Sequence, residues 1–234
     1  MSSISHNLQA VRDRIATAAT AAGRAPDAVL LLAVSKTFDA GAVAEAAAAG
    51  QHAFGENYLQ EALDKMAAVK SLRPDLLLEW HFIGPIQSNK TRPIAEHFDW
   101  VHSVDRLKIA QRLAEQRPAH MPPLNVCLQV NISGEASKSG VAPAQLAELA
   151  TQVATLPRLR LRGLMAIPEP AATEAAQREP LRAMREHLHA LRAQGLDLDT
   201  LSMGMSGDLE AAVAEGATIV RIGTAIFGKR HYAD

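Results

Sequence analysis

Cysteine is almost absent from this chain. Cys127 is the only one in 234 residues, so no internal disulfide can form. It lies in the apolar run Val126-Cys127-Leu128, where a small buried hydrophobe is expected. Neither sign of charge prevails: 24 Lys and Arg face 25 Asp and Glu. That balance argues against a nucleic-acid surface or an anionic-membrane surface. Long apolar runs are missing too. The stretch 29–34 is among the longest and is far too short to span a bilayer. The first residues lack a basic segment followed by an apolar one, so no signal peptide is expected and a cytoplasmic location is. The nine histidines show no metal-ligand spacing, and His187 and His189 diverge on a helix. No metal site is expected.

What is present is a rhythm. An opening amphipathic helix places Ile4, Leu8, Val11 and Ile15 on one face and ends at Gly23, with Pro26 close behind. Short apolar runs rich in β-branched residues then alternate with Ala-rich amphipathic runs. Strands are expected at residues 29–35, 52–55, 78–84, 100–104, 125–132, 161–167, 200–203 and 218–222. Asp39, Ser88 and Asp105 suit helix N-caps, Pro143 suits a first helical position, and Gly50, Gly195 and Gly216 suit helix stops. Residues 168–180 read as a loop, within which a helix is expected to start after Thr173. Eight strands alternating with helices pair in parallel through crossovers. At this length they predict an α/β fold: one (β/α)₈ TIM barrel with an extra N-terminal helix, a single domain over residues 1–234. An open, doubly wound sheet is the alternative. It would show a G-x-G-x-x-G turn after the first strand, where this chain has Val34-Ser35-Lys36-Thr37.

Barrel chemistry sits at the C-terminal ends of the strands. Lys36 follows the apolar run 29–34. Partial desolvation there favours the neutral amine, which can condense with an aldehyde. The plain alternative is a lysine that snorkels to water. Ser206-Gly207-Asp208 precedes a helix and Gly223-Thr224 forms a turn. Barrels commonly hold a phosphate at these two strand ends, and ordinary capping by Ser206 or Asp208 is compatible with that role. Arg221 interrupts the apolar strand Ile219-Val220 and Ile222 and needs a carboxylate or a ligand as partner. An amine at one side of the mouth and a phosphate site at the other would hold an aldehyde-phosphate cofactor, the form of pyridoxal phosphate.

The chain resembles the pyridoxal phosphate homeostasis proteins, the YggS and PLPBP family. The resemblance spans nearly the whole length. It is carried by Leu31-Leu32-Ala33-Val34-Ser35-Lys36-Thr37, Phe54-Gly55-Glu56-Asn57-Tyr58, Trp80-His81-Phe82-Ile83-Gly84 and Gln87-Ser88-Asn89-Lys90. Further matches are Gly163-Leu164-Met165, Leu201-Ser202-Met203-Gly204-Met205-Ser206 and Arg221-Ile222-Gly223-Thr224-Ala225-Ile226-Phe227-Gly228. The resemblance implies the alanine racemase N-terminal barrel, with pyridoxal 5′-phosphate held as a Schiff base on Lys36. It implies phosphate contacts from Ser206, Gly223 and Thr224, Arg221 at the pyridine nitrogen, and Asn57 and Met203 beside the ring. Lys138 falls in a loop of the family pattern, with its role open. Thr37-Phe38 departs from the second lysine expected of some members, which leaves less scope for another amine beside Lys36.

Two functions follow from different classes. One is a binding protein that stores, buffers or delivers the cofactor within pyridoxal phosphate homeostasis, with no catalytic residues. Its partners would be apo-enzymes that depend on the cofactor, and it would act as a monomer. The alternative is a pyridoxal phosphate-dependent amino-acid racemase. Racemisation needs an acid/base on both faces of the α-carbon. Barrel racemases bring a tyrosine from an added β-domain, and none is expected here, since the sequence ends at Asp234. Tyr58 and Tyr232 are the only tyrosines.

Overall fold

The computed structural model describes residues 2–134 and 139–229. Helix α1 (Ser3–Ala21) leads into eight units: β1 (Leu30–Val34) and α2 (Ala40–Ala48), β2 (Ala53–Glu56) and α3 (Leu59–Leu72), β3 (Glu79–Phe82) and α4 (Thr91–His97), β4 (Trp100–Val104) and α5 (Leu107–Gln116). The second half repeats the pattern with β5 (Leu124–Gln129) and α6 (Leu146–Ala154), β6 (Leu159–Met165) and α7 (Glu174–Ala193), β7 (Thr200–Ser202) and α8 (Leu209–Ala214), β8 (Ile219–Ile222) and α9 (Thr224–Phe227). Each strand pairs in parallel with the next, and β8 returns to β1 through Leu30↔Ile219, Leu31↔Val220, Leu32↔Arg221 and Ala33↔Ile222. The barrel is closed, as the eight-unit rhythm predicts.

Strands covered on both faces read as nearly continuous apolar runs. Alternation sorts them into two cores. Leu32, Val34, Ala53, Ile83, Trp100, Cys127, Met165 and Ile219 fill the barrel. Their outward neighbours, such as Leu31, Phe54, Val101 and Val220, pack with the helices in a larger cluster. Cys127 is a buried filler whose thiol burial pushes up to about 12. Helix α1 packs against α8 and α9. Ser2 caps it by accepting from the Ser5 amide at 3.2 Å.

Local signals hold in part. Asp39 caps α2 through the Ala42 amide at 2.8 Å. Gly50, Gly195 and Gly216 end helices at φ of 82°, 92° and 95°, where a side chain would be strained. Ser88 and Asp105 are not side-chain caps. Ser88 opens a 3₁₀ turn to Lys90 that precedes α4, and Asp105 pairs with Arg106, so α5 starts one residue later than its cap predicts. Residues 174–180 are not loop. Thr173 caps α7 through Ala176, and Pro180 lies inside that helix. Proline in a helix interior costs a hydrogen bond and about 3 kcal/mol. The buried stripe Leu181, Met184, Leu188 and Leu191 outweighs that loss by packing.

Candidate functional site

The strand ends converge on a cavity of about 280 Å³. Lys36 reaches it from the end of β1, Asn57 from β2, Ser206 and Gly207 from the turn after β7, and Arg221, Gly223 and Thr224 from β8 and its exit. Val34, Ile83, Ile167 and Met205 supply apolar walls. A second cavity of about 240 Å³, reaching towards Gln129, Asn131 and Ser139, shares Asn57, Ile83 and Ile167 with the first, so the two adjoin in one mouth. Six of the seven site residues expected from sequence therefore meet in one place. Met203 does not line the cavity: it is fully buried in the outer core. Strand alternation explains the correction, since Ser202 points inward and Met203, like Leu201, points towards the helices. Met205, 38% exposed, forms the wall instead. Lys138 and Tyr232 lie outside the described residues.

Lys36 is half-buried at the cavity wall. The backbone beside it is held by a buried ionic cluster that sequence reading missed. Lys65 of α3 donates to the Ser35 carbonyl at 2.7 Å, to Glu56 Oε1 at 2.6 Å and to Glu61 Oε1 at 2.9 Å. The Ser35 hydroxyl donates to Glu56 Oε1 at 2.6 Å, and Glu61 Oε1 also accepts from the Thr37 amide at 2.6 Å. Thr37 adopts φ of 68°, a region β-branched residues rarely enter. The cluster thus clamps both residues that flank Lys36. Burial pushes the Glu56 carboxyl upward, against the charge and hydrogen bonds of Lys65.

Arg221 is 5% exposed. It donates through Nη1 to Ser202 Oγ and through Nη2 to the Ala166 carbonyl, each at 2.9 Å. Neither acceptor is charged, and among the described residues no carboxylate pairs with it. Burial lowers its pKa to about 10; it remains a cation and a donor at neutral pH. Asp208 acts on it only through space, and a buried cation bordering a cavity without a paired carboxylate suits a ligand that brings acceptors.

The turns after β7 and β8 add backbone donors. Among the described residues, the amides of Ser206, Gly207, Thr224 and Ala225 have no hydrogen-bond partner. Asp208 Oδ1 accepts from the Met205 amide at 2.6 Å and tightens that turn. Arg14 of α1 donates to the Ser206 carbonyl at 3.0 Å, and Asn7 to the Ile226 carbonyl at 2.9 Å. The extra N-terminal helix thus braces both turns. A Cβ at Gly223 would meet the Val34 carbonyl at 3.1 Å, which explains glycine at that crossing. Asn57 Oδ1 is buried without a partner. An amine, unpartnered amides, a lone guanidinium and an unpartnered amide oxygen around one cavity fit a phosphorylated aldehyde with a heteroaromatic ring.

Comparison with known proteins agrees with this geometry. The alanine racemase N-terminal domain family matches residues 6–231. The pyridoxal phosphate homeostasis protein of Pseudomonas aeruginosa is 68% identical over 232 residues, covering 99% of this chain and 98% of its own length. That of Escherichia coli K12 is 58% identical, covering 100% and 99%. The solved structure of PipY from Synechococcus elongatus, with PLP bound, superposes with a TM-score of 0.84 at 40% identity, covering 96% of this chain and 100% of that one.

Proposed function

Since the chain belongs to the pyridoxal phosphate homeostasis proteins, within the alanine racemase N-terminal domain family, we propose that it binds pyridoxal 5′-phosphate at the barrel mouth and stores, buffers or delivers it. One observation carries this reading: Lys36, Arg221 and the Ser206, Gly223 and Thr224 turns border a single cavity. Lys36 supplies the amine that takes the aldehyde covalently. Ser206, Gly223 and Thr224, with the amides around them, grip the phosphate. Arg221 donates to the pyridine nitrogen, and Asn57 lies beside the ring.

The binding is proposed to be non-catalytic. When bound, the cofactor supplies an electron-withdrawing ring, and a guanidinium at its nitrogen weakens that pull by disfavouring a ring proton. Racemisation needs a second acid/base. Tyr58 is 54% exposed at the start of α3 and does not line the cavity. The same proposal has the protein act as a cytoplasmic monomer that serves apo-enzymes dependent on the cofactor. No described helix is long and apolar enough to cross a membrane.

The test is absorbance of the protein loaded with pyridoxal phosphate, before and after borohydride, followed by peptide mapping. A pyridoxyl group on Lys36, lost in a folded Lys36→Ala variant, is expected. A label confined to Lys90 or Lys138 would overturn the assignment. Exchange of α-hydrogens in deuterated water, far above that of free cofactor and abolished by Lys36→Ala, would move the chain to the racemase class.

A further inference from the structure

Parallel barrels fill their centre with branched apolar side chains. Here a polar chain crosses that centre between Leu32, Trp100, Cys127 and Met165. It starts at Glu79, the first residue of β3, on the face opposite the mouth, with its side chain 45% exposed. Glu79 Oε1 lies 2.8 Å from His81 Nε2, and His81 Nδ1 lies 2.8 Å from His102 Nε2. His102 Nδ1 lies 2.7 Å from Ser202 Oγ, which accepts from Arg221 Nη1 at 2.9 Å. Both histidines and Ser202 are fully buried, and none of the three lines the cavity.

The chain has one direction. A guanidinium offers donors only. At the other end the Glu79 carboxylate only accepts. With both rings neutral, His81 therefore donates to it from Nε2, His102 donates from Nε2 to His81 Nδ1, and Ser202 Oγ accepts from Arg221 and gives its own proton to His102 Nδ1. Every donor meets an acceptor while both rings are neutral. A second proton on His81 would set its Nδ1–H against the Nε2–H of His102, and one on His102 would displace the Ser202 proton from Nδ1. Burial lowers the pKa of both histidines; Glu79 and Asp99 pull His81 the other way, whereas His81 and Arg221 push His102 further down. His81 also stacks on Trp100 at 5.3 Å, which fixes its ring plane.

We propose that His81, His102 and Ser202 are positioning residues: they hold Arg221 in the cavity wall through a one-way hydrogen-bond chain anchored at Glu79 on the opposite face. The consequence for ligand binding rests on the proposed reading of Arg221 as the partner of the pyridine nitrogen. With Ser202 and Ala166 each taking one N–H, the guanidinium plane is set before a ligand arrives, and its remaining donors stay available at the cavity. A change at Glu79 is thereby felt across the barrel.

Two arms test this. In the first, ¹⁵N NMR of the full chain without cofactor reads the histidine tautomers. Both rings are expected to be neutral with the proton on Nε2. Glu79→Leu removes the terminal acceptor and should give His81 a mixture of tautomers, while Glu79→Gln keeps an acceptor and should restore the wild-type pattern. A proton on Nδ1 of either ring, or a charged ring at neutral pH, in the wild-type protein overturns the chain. In the second arm, pyridoxal phosphate is titrated into wild type, Ser202→Ala and Ser202→Thr, each checked for folding by circular dichroism. Ser202→Ala should weaken binding about tenfold, the weight of one hydrogen bond to a charged group, and shift the bound cofactor's absorption band. Ser202→Thr keeps the hydroxyl and should retain both. Wild-type affinity and spectrum in a folded Ser202→Ala protein would refute the positioning role. If wild type binds no cofactor, the proposed function fails, and the tautomer arm alone decides whether the chain exists.

Discussion

Lys65→Met is expected to be a costly single change close to the mouth. Methionine keeps most of the apolar stem and removes a buried ammonium that makes three hydrogen bonds. Glu56 is fully buried, and its Oε2 has no partner. In the variant its Oε1 would keep only the Ser35 hydroxyl. The cheapest response is a proton on Glu56. Moving a carboxyl from its ordinary value of about 4.3 to neutral at pH 7 spans about 2.7 pH units at about 1.36 kcal/mol each, or about 3.7 kcal/mol. Removing one partner of a buried ion pair costs about 3–5 kcal/mol by mutational experience, which agrees. The orphaned Ser35 carbonyl adds about 1 kcal/mol. The sign with pH follows from a folded-state pKa that is raised. Below the unfolded value the carboxyl is protonated in both states and the deficit is small. As pH rises the unfolded chain ionises and the folded one does not, so the deficit grows towards neutrality. Urea unfolding at pH 4 and pH 7.5 of wild type, Lys65→Met and Glu56→Gln/Lys65→Met measures this. Glu56→Gln should recover most of the loss at pH 7.5. A single variant within about 1 kcal/mol of wild type at pH 7.5, or a double variant no more stable than the single, would refute the reasoning.

Three further outcomes are expected. Ser206→Ala and Thr224→Val should each weaken pyridoxal phosphate binding about 10–150-fold and leave pyridoxal binding nearly unchanged; equal affinities of wild type for the two compounds would end the phosphate assignment. A Cβ at Gly84 would overlap the Asn57 carbonyl, so Gly84→Ala should shift Asn57 and lower cofactor affinity in a protein that still folds, measured by titration beside a thermal melt. Glu215 is buried beneath Arg178, Arg182 and Arg185 of α7. Burial raises its pKa, but the Arg178 hydrogen bond and the three charges outweigh that and lower it. Its contribution is present above the ordinary glutamate value and lost as pH falls through the depressed one. Glu215→Gln should therefore lose about 1.5–3 kcal/mol at pH 7, with the gap to wild type closing in acid; a gap independent of pH would contradict the ion cluster.

The barrel was legible because its strands are buried on both faces, so each is an apolar run whose exceptions stand out. Lys36 and Arg221 were two such exceptions, and both border the cavity. Met203 was misplaced because a motif says which residues are near the mouth, not which way alternation turns them. Helix starts at Ser88 and Asp105 looked like caps from residue type alone, but the 3₁₀ turn at Ser88–Lys90 and the Asp105–Arg106 pair decide where α4 and α5 begin. The ionic and histidine networks were hidden for a different reason. Lys65 looks like an ordinary helical lysine, yet it is buried against Ser35, 30 positions earlier. His102 meets Ser202, 100 positions later. Only closure of the barrel brings such partners together.

These two networks stand behind neighbouring strands, β1 and β8, at one cavity. Glu56, Glu61 and Lys65 clamp the backbone on either side of Lys36, and Ser202 with its histidines grips the far side of Arg221. Neither network needs a ligand for its hydrogen bonds. In a site prepared this way the ordering of the amine and the guanidinium is a cost of folding rather than of binding. Among the described residues the apolar rim of Ile167 and Met205 is, by contrast, 41% and 38% exposed. For the proposed function, a prepared floor beside an exposed rim suits holding a cofactor tightly while leaving it reachable. A catalyst would instead be expected to close over its substrate and exclude water. The architecture around the cavity is therefore of the kind that the proposed custody of the cofactor asks for, and the deuterium-exchange test decides between that role and catalysis.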